Sequence, residues 1–173
     1  MSRPACIPLS CLALALSAWL LALGPGNSEA TSPWSKARLG AVVDRVSDGD
    51  TLRVTHGGRE RHVRLIGIDT PEVYGEQECG GTSASISMRQ MVQPGDRVRL
   101  VRDFSQDNVD HYGRLLRYVM YRGMDLGLRQ LTRGWAKVYV FESRYRRFVA
   151  YSRAQRSAQR SRHGAWRLCK GRF

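Results

Sequence analysis

Three acidic positions and two arginines in this sequence are spaced as if to meet. Asp50 lies in the turn-forming run Asp48-Gly49-Asp50-Thr51, and the apolar run Val63-Arg64-Leu65-Ile66-Gly67-Ile68 ends abruptly in Asp69-Thr70-Pro71-Glu72. If both runs border neighbouring strands, Asp50 and Asp69 bring hard carboxylate oxygens to one strand end, a pattern suited to an oxygen-preferring cation such as Ca²⁺. Pro71 has a fixed φ, so the backbone leading into Glu72 is stiff and its carboxylate can be held beside a water. Arg64 and Arg114 each offer a planar fork that grips a phosphate through two N–H donors. A cation, a positioned water and charge-neutralising guanidiniums are the three requirements of phosphodiester hydrolysis. Without the cation, two close carboxylates repel each other and a phosphate alike.

Short strands must position these groups. Apolar and polar residues alternate over residues 41–46 and 51–54, with Ser47 to Asp50 as the turn between them; His56-Gly57-Gly58 then returns the chain as a third strand over residues 60–68. These three strands form a meander. After a Gly-bearing loop over residues 73–81, Thr82 is expected to cap a helix through Met91, with Ala84, Met88 and Met91 or Val92 on its apolar face and Pro94-Gly95 beyond it. Two further strands span residues 97–103 and 114–121, joined by a polar loop. A short helix over residues 124–132 closes at Gly134, and residues 135–141 read as a brief extended segment. The last helix spans residues 144–162, with Tyr145, Phe148, Val149, Ser152, Gln155 and Ala158 on its less polar side. Trp166 is expected to fold back against the body. The pattern predicts an α+β domain, a five-stranded OB-type Greek-key β-barrel with three helices.

The flanks carry different signals. Residues 1–30 combine an early Arg3, an apolar run from Ile7 to Leu23, the break Pro25-Gly26 and small residues near Ala30, the pattern of a signal peptide for secretion or periplasmic export. An uncleaved membrane anchor is the competing reading, because the apolar run approaches spanning length. Residues 31–40 read as a polar linker, 41–168 as the domain and 169–173 as a tail. Removal of the leader leaves Cys79 and Cys169 as the remaining cysteines, and two thiols in an oxidising compartment are expected to pair. The four histidines do not cluster with them at zinc-ligand spacing. A net charge of +13, carried mostly by arginine, points to a polyanionic partner, with a solvated basic surface as the plainer alternative.

In order and spacing, four runs resemble the thermonuclease, or staphylococcal nuclease-like, family: Asp48-Gly49-Asp50-Thr51; Arg64 with Asp69-Thr70-Pro71-Glu72; His111-Tyr112-Gly113-Arg114; and Gly134-Trp135-Ala136-Lys137-Val138. The resemblance covers residues 41 to 166. It implies that Asp50 and Asp69 are metal ligands, joined by the backbone carbonyl of Thr70, and that Glu72 is the general base or orients the water. Arg64 and Arg114 would be the phosphate and transition-state clamps. It also implies Ca²⁺ as the cofactor, DNA and RNA as substrates, and cleavage of the bond to the 5′ oxygen leaving a 3′ phosphate. Tyr112 would stack on a base, and Tyr139 is a second such candidate or else a core residue.

Taken singly, each run has a plainer reading. Asp48-Gly49-Asp50 is a common hairpin turn, and Asp69-Thr70-Pro71-Glu72 could begin a helix. A nuclease-like OB domain that binds single-stranded nucleic acid or another polyanion without cutting it would need Arg64, Arg114 and the tyrosines. It would have no use for Asp50, Asp69 and Glu72, so their presence favours catalysis. The loop after Glu72 is short for the family and contains Cys79. The last helix carries Arg144, Arg146, Arg147, Arg153, Arg156, Arg160 and Arg162, a surface suited to nucleic-acid backbone, anionic lipid or cell-wall polymer. No obligate protein partner is evident, and a monomer is expected.

Overall fold

The computed structural model describes residues 40–75 and 77–173. The expected leader and most of the expected linker lie outside these residues. Three antiparallel strands open the fold: β1 (Gly40–Val46), β2 (Thr51–His56) and β3 (Arg59–Leu65). The meander is that read from the alternation, with one irregularity: the β1–β2 register shifts between Val43 and Arg45, a bulge that increases the twist of the strand. β5 (Arg97–Val101) pairs with β1, and β6 (Leu115–Tyr121) pairs with β5. A parallel pairing of β6 with β3, through Val63↔Leu115 and Leu65↔Arg117, closes the five strands into a barrel. Closure leaves no free edge among them. β7 (Met124–Asp125) extends β6 as a two-residue hairpin, an addition absent from the expected set.

The barrel is filled by the inward residues of every strand, including Val43, Leu52, Val54, Val63, Leu65, Val98, Leu100 and Val119. Helix α1 (Gly81–Met91) brings Ala84, Met88 and Met91 to this core, and α2 (Leu126–Arg133) brings Leu126 and Leu131. α3 (Phe148–Arg160) and the short α4 (Ala165–Leu168) complete the α+β fold. Burying apolar area at roughly 25 cal/mol per Å² is what holds such a set of short elements together.

Several local expectations are corrected. The strand expected over residues 60–68 is two strands: β3 ends at Leu65, and β4 (Ile68–Asp69) pairs instead with β8 (Lys137–Val138). The break falls at Gly67, whose φ is +79°, where an added Cβ would stand 2.3 Å from the Tyr145 ring. Tyr145 donates its hydroxyl to the Gly67 carbonyl at 2.8 Å, so a glycine-only conformation and a ring packed on it redirect the chain. α1 begins one residue before Thr82, with Gly80 at its N-cap and no side-chain cap; the Thr82 hydroxyl accepts a bond from Gln77 instead. On α3 the buried positions are Tyr151 and Ala158, whereas Val149 is exposed, because the helix turns its Tyr151 edge toward Tyr118 and Tyr145. Gly134 does cap α2 in the left-handed conformation, φ 76°, as its place in the sequence suggested.

Candidate active site

The turn after β1 brings its acids into place through local hydrogen bonds. Asp48 Oδ1 accepts from the backbone N–H groups of Asp50 and Thr51 at 2.9 and 2.7 Å, the short-range closure that Asp favours in turns. Asp50 is thereby aimed inward and is 5% exposed. Its Oδ2 accepts from the Thr70 N–H at 2.8 Å and the Thr70 hydroxyl at 3.0 Å, and its Oδ1 from the Thr51 hydroxyl at 3.1 Å. Residues twenty positions apart are thus tied directly together. Gly49 is required at this contact, since a Cβ there would lie 2.6 Å from Thr70 Oγ1.

Arg64 joins the second run to the first. One terminal nitrogen contacts Asp50 Oδ2 and the other lies 2.7 Å from Asp69 Oδ1, so both forks of the guanidinium are engaged by carboxylates. Arg64, the expected phosphate clamp, thus lies between the two expected metal ligands. The register explains the meeting: Thr51 lies opposite Arg64 in the β2–β3 ladder, next to Asp50. Burial opposes the Arg64 charge, but Asp50, Asp69 and Asp48 outweigh it and raise its pKa.

Negative charge still exceeds positive here. Burial first, and then the Asp50 carboxylate, push Asp48 up to about 7. Asp69 is raised by burial and by Asp50, against the pull of Arg64, and Glu72 is raised by partial burial, Asp50 and Asp69. One guanidinium does not neutralise four carboxylates, and the all-oxygen donor set fits a hard divalent cation. Among the described residues no three His, Cys, Asp or Glu side chains form a preformed cage. The set available is therefore two carboxylates and a carbonyl, with water completing any coordination. Glu72 is exposed, and its backbone N–H is fixed by Glu78 Oε2 at 2.9 Å.

A cleft of about 840 Å³ contains Arg64 and Asp69 together with Arg114, Tyr112 and Tyr139. Asp50, Thr70 and Glu72 are not among its lining residues; Asp50 reaches the cleft through its contact with Arg64, and Thr70 through its bonds to Asp50. Arg114 is held from one edge, its Nε donating to Asp110 Oδ2 at 2.7 Å while Asp110 Oδ1 takes the Arg114 backbone N–H. Its terminal nitrogens have no carboxylate partner among the described residues. The guanidinium lies 5.1 Å from the centre of the Tyr112 ring, which is 72% exposed. Tyr139 is 45% exposed, and its backbone N–H bonds Gly67 O; it faces the cleft and is not a core residue. The expected pair Cys79–Cys169 is a disulfide, with Cα atoms 5.8 Å apart. It joins the loop after Glu72 to the C-terminal end, and Phe173 packs on Trp166 just beyond it.

Some positioning residues escaped the sequence reading. Gln130, fully buried on α2, donates to the carbonyls of Gly49 and Ala84 at 2.8 and 2.9 Å, fastening the Asp48–Asp50 turn to α1. Its only signal was a polar residue on the helical face shared by Leu126 and Leu131. Asp110 had a signal too, lying four residues before Arg114 in a polar loop.

Barrel, acid cluster and arginine-lined cleft define a nuclease-type OB domain, and comparison with known proteins agrees. Residues 62–168 match the family model described as staphylococcal nuclease homologue, and the chain belongs to that family. The match begins after Asp50, so the first acidic turn lies outside it. Endonuclease YncB of Bacillus subtilis is 31% identical over 148 residues, covering 81% of this chain and 69% of the relative. Thermonuclease of Staphylococcus intermedius is 30% identical over 149 residues, 83% of each. The SPbeta prophage-derived endonuclease YokF of B. subtilis is 32% identical over 136 residues, but this chain spans only 45% of its length.

Proposed function

We propose that this protein is a Ca²⁺-dependent nuclease that hydrolyses phosphodiester bonds of DNA and RNA with little sequence specificity. The observation that carries the reading is the cluster Asp50–Arg64–Asp69–Thr70, which opens through Arg64 and Asp69 into the cleft of Arg114 and Tyr112. A binder of polyanions has no use for surplus carboxylates at the mouth of its phosphate site.

In this reading Asp50, Asp69 and the Thr70 carbonyl would hold the cation, which would supply positive charge to the phosphoryl group when bound. Thr51 and Thr70 orient Asp50, and Gln130 keeps the turn that carries it in place. Glu72 takes the proton of the attacking water; burial and the neighbouring Asp50 and Asp69 carboxylates raise its pKa, which makes it a better acceptor than an ordinary carboxylate. Arg114, gripped at Nε by Asp110, presents its terminal N–H groups to the phosphate as negative charge builds there. Arg64 shares its donors between the acids and the phosphate. Tyr112 and Tyr139 offer ring faces to bases, and stacking discriminates little among bases.

Exported protein acting as a monomer completes the proposal, with the leader cleaved near residue 30 and the arginines of α3 in contact with an anionic surface or the flanking nucleic-acid backbone. Purified protein should degrade denatured DNA and RNA when Ca²⁺ is added and stop when the ion is chelated. Equal cutting with and without divalent cation would overturn the metal assignment. Intact mass of the protein recovered outside the cytoplasm tests leader removal; a mass that retains residues 1–30 would refute it.

A further inference from the structure

Beyond Arg114 the cleft continues to a ring that none of the assignments above uses. Phe104 lines the cleft and is 78% exposed, far too open for a core role. Its backbone is nevertheless held firmly. The preceding Asp103, fully buried, accepts from the N–H and hydroxyl of Ser105 at 3.0 and 2.8 Å, and Gln106 donates to the Ser143 carbonyl and hydroxyl, both at 3.1 Å. An exposed aromatic on an anchored loop is a presented surface.

The charges beside it point the same way. The Arg102 guanidinium stands 4.9 Å from the Phe104 ring centre and covers one part of it. The pairings Leu100↔Val119 and Val101↔Tyr118 bring position 102 opposite Arg117 on β6 as the strands continue. Like charges directly opposite on a sheet are unfavourable. Burial, and next the Arg102 charge, lower the Arg117 pKa. Arg117 bonds only neutral oxygens, those of Asn108 and Leu116, and neither arginine forms an ion pair among the described residues. Asp103, the adjacent acid, is already saturated by Tyr118, Arg146 and Ser105. Two guanidiniums without an ion-pair partner among the described residues, Arg102 against the open ring and Arg117 opposite it in the β5–β6 register, match one nucleotide, a phosphate next to a flat base. The acids Asp107 and Glu142 line the cleft with Phe104 as well.

We propose that Phe104, Arg102 and Arg117 form a distal subsite for single-stranded nucleic acid, stacking one base on Phe104 and holding its phosphate between the two guanidiniums. Only an unpaired strand can supply the base, because both faces of a base in a duplex are already covered. The proposal rests on the nuclease reading, extends it along the strand, and makes the enzyme prefer longer single-stranded substrates.

The test is binding to the full chain silenced by Glu72→Gln, comparing a dinucleotide with an oligothymidylate of about eight nucleotides, a length within the usual reach of an OB fold. The parent should gain affinity with length. Phe104→Ala should remove about tenfold of that gain, Phe104→Trp should retain it, and Phe104→Leu should lose it as Ala does. Arg102→Ala with Arg117→Ala should flatten the salt dependence by about 0.7 in slope per phosphate lost. Phe104 and Arg102 are exposed and Arg117 is partly buried on β6, so circular dichroism of each variant checks that the fold persists, and Arg102→Ala alone should flatten the salt dependence if the double variant does not fold. If the protein that has Glu72 cuts neither strand length, the nuclease reading itself fails. If it cuts but the length gain survives in Phe104→Ala, or duplex binding falls as much as single-strand binding, the subsite alone is refuted.

Discussion

Two clusters of acids, each built around one buried carboxylate, Asp50 or Asp103, sit on this barrel and behave oppositely. At the strand ends around Arg64, four carboxylates share one guanidinium, and burial and mutual repulsion raise Asp48, Asp69 and Glu72. Behind α3 the acids are satisfied. Asp103 accepts from the Tyr118 hydroxyl at 2.5 Å, from the Arg146 N–H at 2.8 Å and from Ser105, while Asp125 accepts from Tyr151, Arg147 and the first turn of α2. Burial raises the Asp103 pKa, but these hydrogen bonds outweigh it and leave the carboxyl below the ordinary range. One cluster keeps excess negative charge, and the other fastens α3 to the barrel. The difference is how many donors each carboxylate meets, since a buried charge is tolerable only when fully paired.

Substitution should separate the two clusters. The largest expected effect is at Glu72: Glu72→Gln lowers turnover about a hundred- to ten-thousand-fold with the melting temperature preserved, measured by nuclease assay and thermal denaturation. An unchanged rate would remove Glu72 from the role of base. The disulfide, which holds the loop behind Glu72, comes next. Cys79→Ser with Cys169→Ser should cost up to about 4.6 kcal/mol, the chain-entropy value for a closed loop with 90 residues of separation. Denaturant unfolding with and without reductant reads this directly.

In the satisfied cluster, Asp103→Asn should destabilise by about 2 kcal/mol, through loss of charge-assisted hydrogen bonds, and leave turnover near that of the parent. A loss of activity without loss of stability would reverse the comparison. The smallest effect is the pH dependence of the same residue. Because the folded pKa of Asp103 lies below its unfolded value, its contribution to stability is present above the unfolded pKa and is lost as pH falls through the folded one. Acid unfolding should therefore be shallower in Asp103→Asn than in the parent, by denaturation midpoints across the acidic range.

Much of this was legible in one dimension. Four of the five barrel strands were read with small boundary errors, the first two from their alternation, because a half-buried strand must alternate. The acids and arginines announced themselves by residue type beside turn formers, and the cysteine pair by being the two left in the domain. The third strand was misjudged because Gly67 sits in an apolar run that reads as continuous, and only the Tyr145 ring packed against it reveals the turn. Tyr151 and Gln130 were missed for a related reason: each is polar enough to read as surface, and each is buried because a distant partner, Asp125 or the Gly49 carbonyl, satisfies it.

The sequence by itself determined the ingredients of the candidate site: which residues bring carboxylates, which bring guanidiniums, and that turn-forming residues lie beside them. Tertiary structure alone decided that Arg64 lies between Asp50 and Asp69, that β6 closes on β3 to form the cleft's floor, and that Phe104 faces that cleft next to unpaired arginines. The physical reason is range. Turn chemistry and side-chain type act within a few residues, whereas barrel closure pairs strands about fifty residues apart, Val63 with Leu115, a contact that local patterns do not specify.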